Sequence, residues 1–213
     1  MKKTAIILGA TGLTGSYLLE LLLTSENYEK VKIFTRKSTG IKHPKLDEIT
    51  GDILHLEKYS KDFKADEVFC CIGTTKAQTP NKEEYFAIDY GIPVNAAKLC
   101  VQNNISTFSV ISAIGANPNS SVFYSRTKGL MEQTILQYKI PNILIYRPSL
   151  IYGERRDKRF IENIAKLLIN GLRFLLIGKM KKYRSITGQE LAKNLFLGTK
   201  KTGHKIIERD FFV

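Results

Sequence analysis

An α/β fold, built on one open and mostly parallel sheet with helices on both faces, is what this sequence predicts, and three observations carry the prediction. Near the amino terminus, the apolar run Ile6-Ile7-Leu8 leads into Gly9-Ala10-Thr11-Gly12-Leu13-Thr14-Gly15, a G-x-x-G-x-x-G turn, and then into a leucine-rich stretch. Further strand-like runs alternate with helical segments down the chain. The 213 residues suffice for one large core and are few for two full domains. A single domain over 1–213 is therefore expected, with 151–213 a small carboxy-terminal cap or substrate-side elaboration of it.

The opening strand is apolar enough to be covered on both faces, and the leucines from Ser16 to Leu23 can line the sheet-facing stripe of a helix. A side chain at Gly9 hinders the turn, one at Gly12 holds the backbone off a diphosphate, and one at Gly15 pushes the helix off its strand. The amides that open the helix then face the phosphates. Strand, turn and helix together predict a Rossmann-type, doubly wound sheet that binds a dinucleotide.

Val31 to Thr35 supplies a second strand, ending in the cations Arg36 and Lys37. An acid about 20 residues past the glycines would hold ribose hydroxyls, whereas an arginine there accommodates a 2′-phosphate. Arg36 lies 21 residues after Gly15, and the nearest acids noted are Glu29 before the strand and Asp47 well beyond it. The expected cofactor is NADP rather than NAD.

Glu48 to Ile53 reads as a third strand, with Asp52 placed to accept from an adenine amino group or to cap a helix starting near Leu54. Asp66 to Ile72 is a fourth, running into Gly73-Thr74-Thr75, where glycine permits close backbone approach to the cofactor. Lys82 to Asn103 is a long helix that Pro93 should break or kink near Gly91-Ile92-Pro93. Thr107 to Ser112 is a fifth strand, followed by a turn-rich loop and a helix entered near Tyr124. A sixth strand precedes Arg147. Asp157 to Gly171 reads as a basic helix and Leu172 to Ile177 as a short apolar segment, and Ile164 to Lys182 suits a small lid on the substrate cleft better than a membrane-surface helix. Thr187 to Gly198 carries a capping-box pattern, and Lys205-Ile206-Ile207 is a final strand.

The chemistry lies after the fifth strand. Tyr124 and Lys128 are four apart and so share one helix face. An ammonium one turn away stabilises a phenolate and lowers the phenol's pKa from about 10, which fits the pair to move a proton to or from a carbonyl or alcohol oxygen as hydride is transferred. Ser112, at the end of the strand, can hold the same oxygen.

Composition limits the alternatives. Net charge is +13, and 151–213 holds 15 Lys and Arg against 6 Asp and Glu. No nucleic-acid-binding motif accompanies that charge, so a solvated basic surface is expected rather than a nucleic-acid site. Cys70, Cys71 and Cys100 form no C-x-x-C pair, which argues against a disulfide framework and a zinc site; no metal is expected. No apolar run reaches the about 18 residues of a membrane span and no cleavable leader is evident, so a cytoplasmic location is expected.

Gly9 to Gly15, the Tyr124 to Lys128 pair and Arg147-Pro148-Ser149-Leu150-Ile151-Tyr152-Gly153 together resemble a short-chain dehydrogenase/reductase of the extended or atypical kind. Cys70-Cys71-Ile72-Gly73-Thr74-Thr75 and Lys181-Lys182-Tyr183-Arg184-Ser185-Ile186 are similar to the atypical subgroup holding Tat-interactive oxidoreductase-like and nucleoside-diphosphate-sugar epimerase-like proteins. The resemblance implies that Thr11, Gly12, Leu13 and Thr14 contact the diphosphate, Arg36 and Lys37 the 2′-phosphate, and Asp52 with Ile53 the adenine. It places Gly73 and Thr74 along the ribose and nicotinamide, Lys128 on the nicotinamide ribose and Pro148 beside its ring. The chain departs from the family pattern at Ala113, where a second serine would follow Ser112. An oxidoreductase of an unidentified small carbonyl or alcohol is the expected function. A regulatory protein that senses NADP(H) and acts through a protein partner is the alternative. Sugar-nucleotide epimerase or dehydratase is the weaker enzyme reading, because those enzymes resemble longer chains with a larger sugar-nucleotide domain. Monomer and homodimer both fit.

Overall fold

Seven strands form the main sheet of the computed structural model, which describes the chain over residues 1–153 and 185–208. In chain order the strands are β1 (Lys3–Leu8), β2 (Tyr28–Thr35), β3 (Leu46–Thr50), β4 (Glu67–Cys70), β5 (Thr107–Ile111), β6 (Asn142–Arg147), β7 (Ile151–Tyr152), β8 (Ile186–Thr187) and β9 (His204–Glu208). The sheet order is β3-β2-β1-β4-β5-β6-β9, and every pairing in it is parallel. From β1 the chain winds outward through β2 to β3. It then crosses over and starts again at β4 on the other side of β1. The two windings leave β1 and β4 in opposite directions, and this opens a crevice at their carboxyl ends, where open α/β sheets bind ligands.

Alternation along each strand supplies two cores. Ile6 and Leu8 of β1 face one layer, with Val68, Phe108, Ile143 and the helix residues Ala96, Leu99, Met131 and Ile135. Ala5 and Ile7 face the other, with Phe69, Leu144, Leu18, Leu22, Leu191 and Leu195. Successive residues of a strand point to opposite sides, so a sheet buried on both faces needs apolar side chains at nearly every position. Each fully buried Leu or Ile contributes about 1.5–3 kcal/mol.

Helix α1 (Leu13–Thr24) and α5 (Gly188–Gly198) cover the second face, and α3 (Ile92–Gln102) and α4 (Phe123–Ile135) cover the first. The short α2 (Lys82–Phe86) is capped by Asn81, whose side chain accepts from the amides of Glu83 and Glu84 at 2.8 and 3.0 Å. The expected break at Pro93 is replaced by a wide turn over Ala87–Gly91, in which the Ile92 amide reaches back to the Ala87 carbonyl. Proline has no amide to give the carbonyl four residues before it, and one added residue in the preceding turn lets the helix continue past it. Asp89 sits in that turn.

The predicted strands are all present, with ends displaced by a few residues. The β7–β8 ladder was not foreseen, since two-residue strands carry no periodicity to read. The Thr187 capping box forms as expected, with Thr187 accepting from the Glu190 amide at 3.0 Å. The described part of the tail returns to the main layers, β9 pairing with β6. The expected helix at 157–171, the apolar segment at 172–177 and the lid at 164–182 lie outside the described residues. Among the described residues, no helix is long and apolar enough to cross a membrane.

Candidate active site

The glycine turn is built by backbone contact. The Gly12 amide donates to the Gly9 carbonyl at 3.0 Å, and Gly9 adopts φ +85°. A Cβ at Gly9 would stand 2.9 Å from the Cys71 carbonyl oxygen, so the turn also presses on the chain leaving β4. A Cβ at Gly15 would come within 2.1 Å of the Gly9 carbonyl oxygen, which is why the helix can lie so close to its strand. Gly12 occupies the N-cap of α1 with no side-chain cap, and no acidic residue stands in the first turn. The positive end of the helix dipole is thus left for an external anion, and the turn fits the diphosphate of a dinucleotide.

Other predicted contacts are placed around this turn. Thr11 is exposed and Thr14 buried. The Leu13 side chain packs against Gly153 and Gly188, where an added Cβ would meet it at 2.9 and 2.8 Å, so only its backbone is left to face a phosphate. Arg36 and Lys37 are exposed at the end of β2, and neither forms an ion pair among the described residues. Asp52 caps the short helical segment Ile53–Tyr59, accepting from the Leu54 amide at 3.0 Å, and Ile53 packs partly into the core. Pro148 is buried, and its carbonyl accepts from the Ile114 amide at 2.8 Å, joining the loops that follow β5 and β6.

Helix α4 turns one face to the sheet ends and sets Tyr124, Lys128 and Glu132 along it, one per turn. It can come this close because position 129 is glycine: a Cβ there would lie 2.2 Å from the backbone of Asn117 and Pro118. Tyr124 is 42 % exposed, whereas Lys128 and Glu132 are each 3 % exposed. The two buried charges are held separately.

Lys128 Nζ lies 2.8 Å from Asp89 Oδ1, an oxygen that the approach leaves with a charge contact rather than a well-directed hydrogen bond. The other oxygen, Oδ2, accepts from the Thr74 amide at 2.8 Å, and Tyr85 donates to the Thr74 carbonyl at 3.2 Å. Asp89 Oδ1 is also the nearest atom to a Cβ at Gly73, at 3.8 Å. This one carboxylate therefore ties the ammonium on α4 to the loop after β4, which in turn touches the glycine turn through Cys71. Burial by itself would lower the Lys128 pKa, but Asp89 and Tyr124 outweigh it and hold the ammonium above its ordinary value.

The expected lowering of the Tyr124 pKa is corrected, chiefly by burial and in smaller part by the same carboxylate. Lost hydration raises the phenol, Lys128 pulls it down, Asp89 pushes it up, and the net shift is upward although much of the residue is open. Tyr124 is thereby kept protonated through neutral pH.

Glu132 accepts from the Ser112 hydroxyl and forms a two-point pair with Arg147, Nε to Oε1 at 3.0 Å and Nη2 to Oε2 at 2.5 Å. Ser112 stands where expected at the end of β5, but its proton is given to Glu132, and no hydrogen bond joins it to Tyr124 among the described residues. Burial pushes the Cys70 thiol up to about 11 and raises Cys71 and Cys100 as well, so none of the three is primed as a nucleophile. Among the described residues, no cluster of His, Cys, Asp or Glu could hold a metal ion.

Asp89 and Glu132 were missed by sequence reasoning. Glu132 had a signal, since it continues the four-residue spacing of Tyr124 and Lys128. Asp89 had none, because it is brought to Lys128 from 39 residues away by the crossing of two helices.

A glycine turn at the switch point of an all-parallel sheet, with a Tyr/Lys pair on the helix after β5, defines an NAD(P)-binding fold of the short-chain dehydrogenase/reductase type. Residues 5–187 match the NAD dependent epimerase/dehydratase family, and the chain belongs to it. It is 33 % identical over 177 residues to Protein FMP52-1, mitochondrial, of Scheffersomyces stipitis, covering 81 % of this chain and 76 % of the relative. Protein HTATIP2 of Rattus norvegicus is 26 % identical over 174 residues, covering 80 % and 72 %. In fold the chain is similar to the Bordetella bronchiseptica enzyme WbmH, solved in complex with NAD+, with a TM-score of 0.71 at 17 % identity over 97 % of this chain and 75 % of that one. The expected cytoplasmic location is corrected by these relatives, since FMP52 proteins of several yeasts are named mitochondrial. That no helix among the described residues is long and apolar enough to cross a membrane says nothing of compartment, because organelle addresses are read by receptors.

Proposed function

We propose that the chain is an NADP(H)-dependent oxidoreductase of a small carbonyl or alcohol, with Tyr124 as the proton donor and acceptor. The observation that carries this reading is the exposed Tyr124 one turn from the buried Lys128, whose ammonium Asp89 anchors to the Gly73-Thr74 loop. The turn at Gly9 to Gly15 receives the diphosphate, with Thr11, Thr14 and the Leu13 amide around it. Arg36 and Lys37 meet the 2′-phosphate, Asp52 and Ile53 the adenine, and Gly73, Thr74, Lys128 and Pro148 the nicotinamide half.

The bound nicotinamide supplies or accepts the hydride. In the reductive direction Tyr124 Oη delivers its proton to the substrate oxygen as that oxygen gains charge, and Lys128 stabilises the phenolate left behind. Held above its ordinary value, the phenol starts this direction protonated at neutral pH. Ser112 orients the substrate oxygen. With its proton directed to Glu132, Ser112 offers lone pairs, so it holds the hydroxyl of the alcohol and would have to turn its proton from Glu132 to hold the carbonyl.

That same engagement of Ser112, together with Ala113, favours a second reading, an NADP(H)-responsive protein that acts through a protein partner. Parallel titration with NADPH and NADH, followed by a screen of aliphatic and aromatic aldehydes and ketones, separates the two. On the enzyme reading NADPH binds more tightly than NADH, Arg36→Ala removes the difference, and Tyr124→Phe lowers turnover by roughly 10²–10⁴ while leaving cofactor affinity within about twofold. Cofactor binding with no turnover on any carbonyl supports the regulatory reading.

A further inference from the structure

Beside Arg36 and Lys37 stands an acid whose side chain is engaged with the loop that carries them. Glu48, on β3, turns its side chain across to the loop that leaves β2. Its Oε1 accepts from the Thr39 amide at 2.7 Å and the Thr35 hydroxyl at 3.2 Å, and its Oε2 accepts from the Ser38 hydroxyl at 2.9 Å. Thr35 precedes the two cations in sequence, and Ser38 and Thr39 follow them. A further bond, from the Gly51 amide to the Thr35 carbonyl at 2.8 Å, continues the β2–β3 pairing to the last residue before Arg36. The loop carrying the cations is thus clamped on both sides by one carboxylate. These donors hold Glu48 in its charged form, with the Thr39 amide the largest cause.

We infer that Glu48 is the positioning residue for cofactor choice: by fixing Thr35 to Thr39 it sets Arg36 and Lys37 in place to receive a 2′-phosphate. This rests on the NADP(H) reading given above. Two long cations on an unclamped loop would lose side-chain and backbone freedom on binding the phosphate, whereas a clamped loop has lost the backbone part in folding.

Dissociation constants for NADPH and NADH are measured by nicotinamide fluorescence on the full chain for wild type, Glu48→Ala, Glu48→Gln and Arg36→Ala. In Glu48→Ala, NADPH affinity is expected to fall about tenfold while NADH affinity stays within about twofold, so the preference narrows. Glu48→Gln can still accept from Thr39 and Thr35, and it should retain most of the preference. Equal loss of both nucleotides in Glu48→Ala would mark a general folding role and overturn the inference. A preference that is unchanged or increased in Glu48→Ala would also overturn it, the increase exposing Glu48 as a charge that repels the phosphate. A wild type without preference for NADPH overturns the NADP(H) reading itself, and the inference with it. These failures are distinguished by whether the wild-type preference is present.

Discussion

The two halves of the site are made of different material. Around Gly9, Gly12 and Gly15 the cradle is backbone: a positive φ, a carbonyl pressed by its neighbours and an uncapped helix end. Around α4 it is side chains, and its two buried charges are held by residues from other segments, Lys128 by Asp89 and Glu132 by Ser112 and Arg147. A backbone cradle depends on the space left by missing side chains and is local in sequence. A side-chain site depends on how distant elements cross, and it is only as ordered as its buried counter-charges.

The sharpest way to break the first half is Gly15→Ala. The added methyl would meet the Gly9 carbonyl at 2.1 Å, and backbone rather than a flexible side chain must give way. The variant should lose about 1–3 kcal/mol of stability in urea melts and most of its cofactor affinity, because α1 is levered away from β1. Retention of both would show that the turn tolerates a wider helix–strand separation.

Glu132→Gln tests the second half. Arg147 would keep a weaker partner in Glu208 at 3.8 Å, and it is partly open to solvent, so the cost should be roughly 2–3 kcal/mol, at or below the lower end for breaking a buried pair. Thermal melts read this loss, and turnover should fall as Ser112 loses its fixed orientation. A stable variant with normal turnover would make the Ser112–Glu132 contact incidental.

Asp89→Asn leaves the buried Lys128 ammonium without its counter-charge and should cost about 3 kcal/mol or more, but the effect particular to it is on pH dependence. Asp89 is the lesser cause of the raised Tyr124 pKa after burial, so with Lys128 still charged its removal moves the phenol's titration to lower pH. Carbonyl reduction needs the protonated phenol, is fully present below its pKa and is lost as pH rises through it. The alkaline limb of kcat in the variant should therefore move toward neutrality. Alcohol oxidation needs the phenolate, and its rise should move the same way. An unmoved profile would remove Asp89 from the proton-transfer machinery.

Much of this architecture was legible before any coordinates. The apolar run and glycine spacing at the amino terminus predicted β1, its turn and α1 because their constraints act between near neighbours. The spacing of Tyr124 and Lys128 placed them on one helix face for the same reason. Pro93 announced a break or kink, and the irregularity takes the form of a wider turn over Ala87–Gly91 just before it. The direction of the Tyr124 shift was misread because a neighbouring ammonium is visible in sequence, while the burial of the phenol and, less so, a carboxylate 35 residues upstream are not.

By itself the sequence determined the layered α/β class, the glycine cradle, the Tyr124–Lys128 face and the cations at the end of β2, since each rests on short-range sterics or on one helical or strand period. Tertiary structure alone decided that Asp89 would meet Lys128, that Glu132 would accept the hydrogen bond of Ser112 and that Glu48 would clamp the Arg36-Lys37 loop. In each case the reason is the same: a buried or hydrogen-bonded charge takes its partner from whichever segment the parallel crossovers bring alongside, and that proximity is a property of the wound sheet.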